Sequence, residues 1–137
     1  MPKKRMGRGS GEGRRPPRGN AQAAKIFLEL KAKHLRKGEE FAQKLESARQ
    51  REHAARGIEK KVALAKTLEI LGEMKSNALS AIGEMENFNL RHGAKLTPKQ
   101  ATNKNLHVTQ VLGHLFFLQQ MIKTRESELA ELTAKLN

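Results

Sequence analysis

The chain has 137 residues with 27 Lys or Arg and 14 acidic side chains, all of them Glu, which gives a formal net charge of +13. Hydrophobic residues make up 37%, and the five Phe are joined by no Tyr or Trp, so material for a compact globular core is scarce. The absence of Cys excludes a disulfide scaffold, a thiol nucleophile and a Cys-based zinc site.

The excess positive charge is concentrated in the N-terminal half. Residues 1–20 have seven basic side chains and one Glu, a net of +6. Residues 21–66 have twelve basic and six acidic side chains, again +6, whereas residues 67–137 have eight and seven, a net of +1. This division predicts a molecule with a basic end and a near-neutral end.

Residues 1–20 form the first predicted segment, a disordered basic tail rich in Arg and Gly. Apart from Met1 and Met6 it has no hydrophobic side chain to bury. Its glycines lack the preceding strand and following helix of a phosphate-binding loop. Two alternatives stay open, an arm that contacts phosphates and a plain solubilising segment. The run Pro2–Arg5 also resembles a nuclear-import signal.

A long basic helical arm is predicted for residues 21–90, with Asn20 as N-cap. This stretch has no proline and is dominated by helix-forming residues. It is expected to form one helix or two, with Gly57 as the break between two. Apolar residues from Ala55 to Phe88 recur with a period close to eleven residues, which favours a nearly straight stripe over a leucine-zipper seam.

A turn at residues 91–97 and a returning helix at residues 98–136 complete the predicted fold. Thr97 and Gln100 fit a capping box around Pro98 at the first helical position. The last helix has apolar residues at one heptad core position from Val108 to Leu136, and Lys104 and Arg125 interrupt the other core position, which Val111, Leu118 and Leu132 occupy. The predicted fold class is therefore all-α, a basic tail followed by a long helical hairpin or coiled-coil-like bundle.

Basic side chains are the first candidate functional residues. Their number exceeds what neighbouring Glu residues can neutralise, and the absence of interleaved aromatics argues for phosphate contacts without sequence readout. The predicted nucleic-acid-binding residues are Lys3, Lys4, Arg5, Arg14, Arg15, Arg18, Lys31, Lys33, Arg36 and Lys37.

A partner interface is the second candidate site, on the last helix. Phe116 and Phe117 fall outside the heptad core positions, and Gly113 precedes them by one turn. The chain's own long helix, a second copy or another protein could cover these rings. The predicted interface residues are Val111, Leu115, Phe116, Phe117, Leu118, Ile122, Leu129 and Leu132.

No catalytic or metal site is predicted, and no cofactor. The sequence has no Asp or Cys and none of the common catalytic motifs. His107 and His114 are a heptad apart without a supporting carboxylate, which is typical of interface polar residues, and His34, His53 and His92 stand isolated.

The leading hypothesis is a non-enzymatic, helical, nucleic-acid-associated protein whose C-terminal hairpin associates with itself or with a partner. The alternative is a coiled-coil structural subunit of a larger protein or ribonucleoprotein assembly. Membrane binding by residues 21–45 is disfavoured because their apolar residues are spread around the helix. An intracellular location is expected, in the nucleus of a eukaryote and otherwise in the cytoplasm or nucleoid or with a virion.

Overall fold

The computed structural model describes the backbone of residues 18–137 and the side chains of residues 21–137. Three long helices, α1 (Arg18–Ala54), α2 (Ile58–His92) and α3 (Pro98–Leu136), are joined by short connections, so the described chain is all-α, as predicted. The predicted disordered tail of residues 1–20 lies outside this range except for residues 18–20, where the prediction is wrong because they belong to α1. The proposed N-cap at Asn20 is wrong, because α1 already begins at Arg18.

The long arm is two helices, and they separate at Gly57. This glycine has a φ of 61° and a ψ of −131°, a conformation that side chains with a Cβ rarely adopt. Arg56 Nη1 donates to the carbonyl oxygens of His53 and Ala55 at 3.1 and 2.8 Å, and Lys60 Nζ donates to that of Glu52 at 2.6 Å. These cations satisfy carbonyls that the end of α1 leaves without helical partners.

The second connection begins at Gly93, where α2 passes into the 3-10 helix Gly93–Lys95. Gly93 is in the right-handed helical conformation, and a Cβ there would collide with the side-chain oxygen of Asn89. Thr97 then caps α3 with both hydrogen bonds of the predicted box, Gln100 N to Thr97 Oγ1 at 3.2 Å and Thr97 N to Gln100 Oε1 at 2.9 Å. The predicted start of the last helix at Pro98 is confirmed.

Helix α2 is the centre of the bundle, with α1 and α3 packed antiparallel along it. Apart from Ile70, its buried residues form a seam with a seven-residue repeat, so the predicted eleven-residue period is wrong, although the predicted apolar positions from Leu71 to Phe88 are buried. That stripe included Ile58 and Val62, which are exposed in the first turns of α2. It omitted Thr67, which is fully buried. The Thr67 hydroxyl tolerates burial because it donates a hydrogen bond to the carbonyl of Ala63 at 3.1 Å. The seam consists of Leu64, Thr67, Leu71, Met74, Ala78, Ala81, Met85 and Phe88.

The core is divided into two apolar clusters along the bundle. One is built around Leu71, Met74 and Leu118, and the other around Phe27 and Phe88, whose ring centroids are 6.0 Å apart. The two polar interruptions in the α3 heptads have partners on other helices. Lys104 Nζ donates to Asn89 Oδ1 at 2.6 Å. Arg125 makes a two-pronged ion pair with Glu52, at 3.2 and 3.3 Å.

Candidate binding surfaces

The four basic residues predicted on α1 do not form one surface. Lys33 is in an ion pair with Glu84 of α2, and its side chain is partly covered. Lys31 is half-buried, on the side that faces His107. Arg36 and Lys37 are exposed. The residues predicted in the tail, Lys3, Lys4, Arg5, Arg14 and Arg15, lie outside the described range, and Arg18 is described only as the first residue of α1.

A denser cationic surface lies at the connection between α1 and α2. We call it the basic turn, which comprises the Lys and Arg residues of positions 49–66: Arg49, Arg51, Arg56, Lys60, Lys61 and Lys66. Only Glu52 and Glu59 oppose these six charges within that stretch, so its net charge is +4. Glu52 is buried and paired with Arg125, which removes it as a surface counter-charge.

Basic-turn residues from α1 and α2 lie close to each other. Arg51 of α1 and Lys66 of α2 line the same cavity of about 370 Å³, together with Lys44 and Glu73. Lys66 also forms an exposed ion pair with Glu69 at 3.0 Å, a contact that contributes little. The sequence indicates only the α1 part of this arrangement, because Lys44 and Arg51 are seven residues apart and so share one helix face.

A polar layer, formed by Lys33, His34, Glu84 and His107, separates the two core clusters. His34 Nε2 donates to Glu84 Oε1 at 2.8 Å, and His34 Nδ1 lies 2.8 Å from His107 Nε2. The imidazole rings are nearly parallel, at 7°, with centroids 5.1 Å apart, so they meet edge to edge rather than face to face. The prediction that His34 stands isolated is therefore wrong. His92 also has a ring neighbour, Phe88, at 5.5 Å.

Contacts in the polar layer lower the pKa values of His107 and Glu84. Burial lowers the pKa of His107, and the positive charges of His34 and Lys31 lower it further. The hydrogen bond from Lys33 lowers the pKa of Glu84 against the opposing effect of burial, with a further contribution from His34. Both shifts favour a neutral His107 beside an ionised Glu84.

Helices α1 and α3 run parallel and are joined by two polar contacts. His34 meets His107 at one point and Glu52 meets Arg125 at the other. The two contacts are separated by 18 residues on each helix, or about 27 Å. Between α1 and α3 lies a groove of about 580 Å³. Met74, Ala78 and Ala81 of α2 line its floor, and we call it the front groove.

Most of the predicted interface residues take part in the chain's own packing. Leu118 is 0% exposed in the larger core cluster, so its prediction as a partner contact is wrong. Val111, Leu115 and Ile122 are half-buried and pack against that same cluster. Leu129 and Leu132 are half-buried farther along α3. Burial of these positions follows directly from their place on the heptad seam.

Phe116 and Phe117 remain exposed, at 64% and 60%, so none of the described helices covers them. They belong to different faces, because successive helical residues diverge by about 100°. Phe117 follows the groove-lining residues Gln110 and His114 by seven and three positions, which places it at the rim of the front groove. Phe116 follows exposed Leu112 by four positions, on the outer side of α3.

Within the described residues, no group of three or more His, Cys, Asp or Glu side chains is arranged to hold a metal ion. None of the described helices combines the length and apolar character that crossing a bilayer requires. No protein-family model, curated protein or solved structure matches this chain.

Proposed function

We propose that this chain is a non-enzymatic helical binding protein that contacts nucleic-acid phosphates through its basic turn and associates with itself or a partner through its near-neutral half. The basic turn is the observation that supports the first part. It has six Lys and Arg residues within 18 positions around the connection of α1 and α2, and its one buried acid, Glu52, is already neutralised by Arg125.

The chemistry of the basic turn favours phosphates over bases. No Phe, Tyr or Trp occurs between residues 49 and 66, so the one aromatic ring there is the small imidazole of His53 and base stacking contributes little. Lys and Arg side chains that contact phosphates release counterions, which gives salt-dependent affinity without sequence readout. The basic tail would add a second contact region, because α1 begins about 55 Å from the turn.

A salt series tests this proposal. Binding of the full chain to labelled duplex DNA and to single-stranded RNA is measured against salt concentration. The variant Arg51→Gln/Lys61→Gln/Lys66→Gln should bind more weakly. Its plot of log affinity against log salt should also be shallower, by about 0.9 for each lost contact to duplex DNA.

Lys95, Lys99 and Lys123 provide the matched control, since they are exposed and lie in the near-neutral half. Their triple change to Gln removes the same formal charge and should leave the salt slope unchanged. A version lacking residues 1–17 separates the contribution of the tail. Equal slopes for wild type and the Arg51/Lys61/Lys66 variant would contradict a role for the basic turn.

A structural subunit of a larger assembly is the second candidate function. Leu112 and Phe116 favour it, because they leave an apolar strip on the outer side of α3. This function predicts that the isolated chain unfolds over a broad temperature range, since part of its apolar surface awaits another protein. A sharp, cooperative thermal transition of the isolated chain would count against it.

A further inference from the structure

The front groove has an apolar rim on both sides. On α1, Leu35 lines the groove, and Leu28 lies seven residues earlier on the same face. On α3, Phe117 and Leu106 flank the groove-lining Gln110. All four of these rim side chains, Leu28, Leu35, Leu106 and Phe117, are more than half exposed. A groove with an apolar floor and an apolar rim of this kind leaves large apolar side chains exposed to water.

Two glycines lie on opposite sides of this groove at nearly the same level. Gly38 lines it from α1, and Gly113 is exposed one turn before Phe117 on α3. The two joining contacts pair positions 73 residues apart, so Gly38 and Gly113 differ in level by two residues, about 3 Å. A Cβ at either position would meet nothing within 4 Å. This open space allows another helix backbone to approach closely.

The segment of α3 beside the groove carries no formal charge. Between Lys104 and Lys123 there are 18 residues without a Lys, Arg or Glu. Such a segment is about 27 Å long, the same as the spacing between the two contacts that join α1 and α3. An α3 helix therefore matches the front groove in length as well as in apolar character.

Charge favours a second copy in one orientation. The charged groove-lining residues Glu39, Glu46 and Arg49 sum to only −1, so the groove is nearly neutral in a chain whose overall charge is +13. A second copy that approaches with its uncharged α3 segment meets this face without opposing Lys or Arg across the seam. Arg51 and Lys66 lie on the cavity between α1 and α2 instead, away from the front groove.

We infer that the front groove is the docking site for a second copy of this chain. The two copies would be related by a two-fold axis near Gly113, with the α3 segments antiparallel and each Phe117 in the other's groove. The rim and floor offer on the order of 600 Å² per copy, at the lower end of a standard interface. This inference deepens the association part of the proposed function and rests on it.

Phe116 and Phe117 provide a matched pair for the test. Sedimentation equilibrium is carried out on the full chain without nucleic acid, so the result is independent of phosphate binding. Wild type should be a dimer. Phe117→Glu should raise its dissociation constant at least about tenfold, whereas Phe116→Glu should leave it unchanged. A monomeric wild type, or equal effects of the two changes, would overturn the inference.

A cysteine cross-link provides a second test that does not depend on a disruptive substitution. The chain has no Cys, so Gly113→Cys introduces a single thiol. Near a two-fold axis it meets its own copy within the roughly 7 Å that a disulfide requires. Gly113→Cys should oxidise to a covalent dimer, and Ser80→Cys on exposed α2 surface should not. Failure of Gly113→Cys to cross-link, or equal yields, would contradict the two-fold arrangement.

Discussion

His34 and His107 meet edge to edge across the two parallel helices, with 2.8 Å between His34 Nδ1 and His107 Nε2. Since two protonated nitrogens cannot face each other at that distance, the contact holds one hydrogen. Glu84 accepts from the far nitrogen of His34 and so orients its ring. A proton on both facing nitrogens would break the contact and leave His34 positively charged, since its far nitrogen already has the hydrogen that it donates to Glu84.

Acid should therefore weaken the fold. The folded pKa of His107 is lowered from 6.5, so its stabilising contribution is complete above 6.5 and is lost as pH falls through the lowered value. The contribution of Glu84 is complete above 4.5 and is lost at still lower pH. The melting temperature should fall between about pH 7.5 and pH 5.5. His107→Gln should flatten that fall, whereas His53→Gln, at an exposed site, should not.

Loss of Arg125 should destabilise the bundle strongly. Arg125→Ala leaves the buried carboxylate of Glu52 without its partner, and we expect a loss of about 3 kcal/mol in the free energy of unfolding. Urea denaturation measures it. Replacing both residues by Leu should recover most of the loss, because no buried charge then remains. A loss below about 0.5 kcal/mol for Arg125→Ala would mean that the pair acts like a surface ion pair.

Two glycines of the bundle should respond to alanine in opposite directions. Gly57→Ala forces a side chain into a φ of 61° and should cost about 1–3 kcal/mol of stability. Gly72→Ala lies on an exposed face in the interior of α2, where a Cβ meets nothing within 4 Å, and should stabilise by about 0.5–1 kcal/mol. Thermal unfolding of the two variants compares them directly, and a shift in the same direction would refute this reading of the turn.

Leu118 separates core packing from association. Leu118→Ala removes a fully buried side chain from the larger cluster and should cost about 2–5 kcal/mol in chemical denaturation. The variant that stays folded should keep the dimer affinity of wild type, because the fully buried Leu118 cannot contact a second copy. If Leu118→Ala left the free energy of unfolding nearly unchanged, that result would contradict the placement of Leu118 in the core.

Local signals in the sequence indicated two of the helix boundaries, the division at Gly57 and the start of α3, but not the start of α1. The capping box at Thr97 lies within four residues and needs no tertiary information. One helix or two remained open for the arm, and Gly57 was the expected division between two because glycine is the residue least costly to place in a left-handed turn. The heptads of α3 predicted a buried seam. They also led to the prediction that Leu118 contacts a second protein. That prediction is wrong because Leu118, at a heptad core position, packs inside the bundle.

Contacts between distant parts of the chain could not be predicted in the same way. His34 and His107 are 73 residues apart, as are Glu52 and Arg125, and no local pattern connects them. The α2 seam was misread because polar Thr67 occupies a core position by bonding its own helix. Arg125, a charge at a heptad core position, was the one available hint that a buried acid lies on another helix.

Lysine reactivity in the presence of nucleic acid tests the central claim most directly. Acetylation rates of Lys61, Lys66, Lys95 and Lys99 are measured by mass spectrometry with and without duplex DNA or single-stranded RNA. Nucleic acid should slow modification of Lys61 and Lys66, and raised salt should restore it, while Lys95 and Lys99 react at unchanged rates. Equal rates at all four lysines, with or without nucleic acid, would contradict phosphate contact by the basic turn.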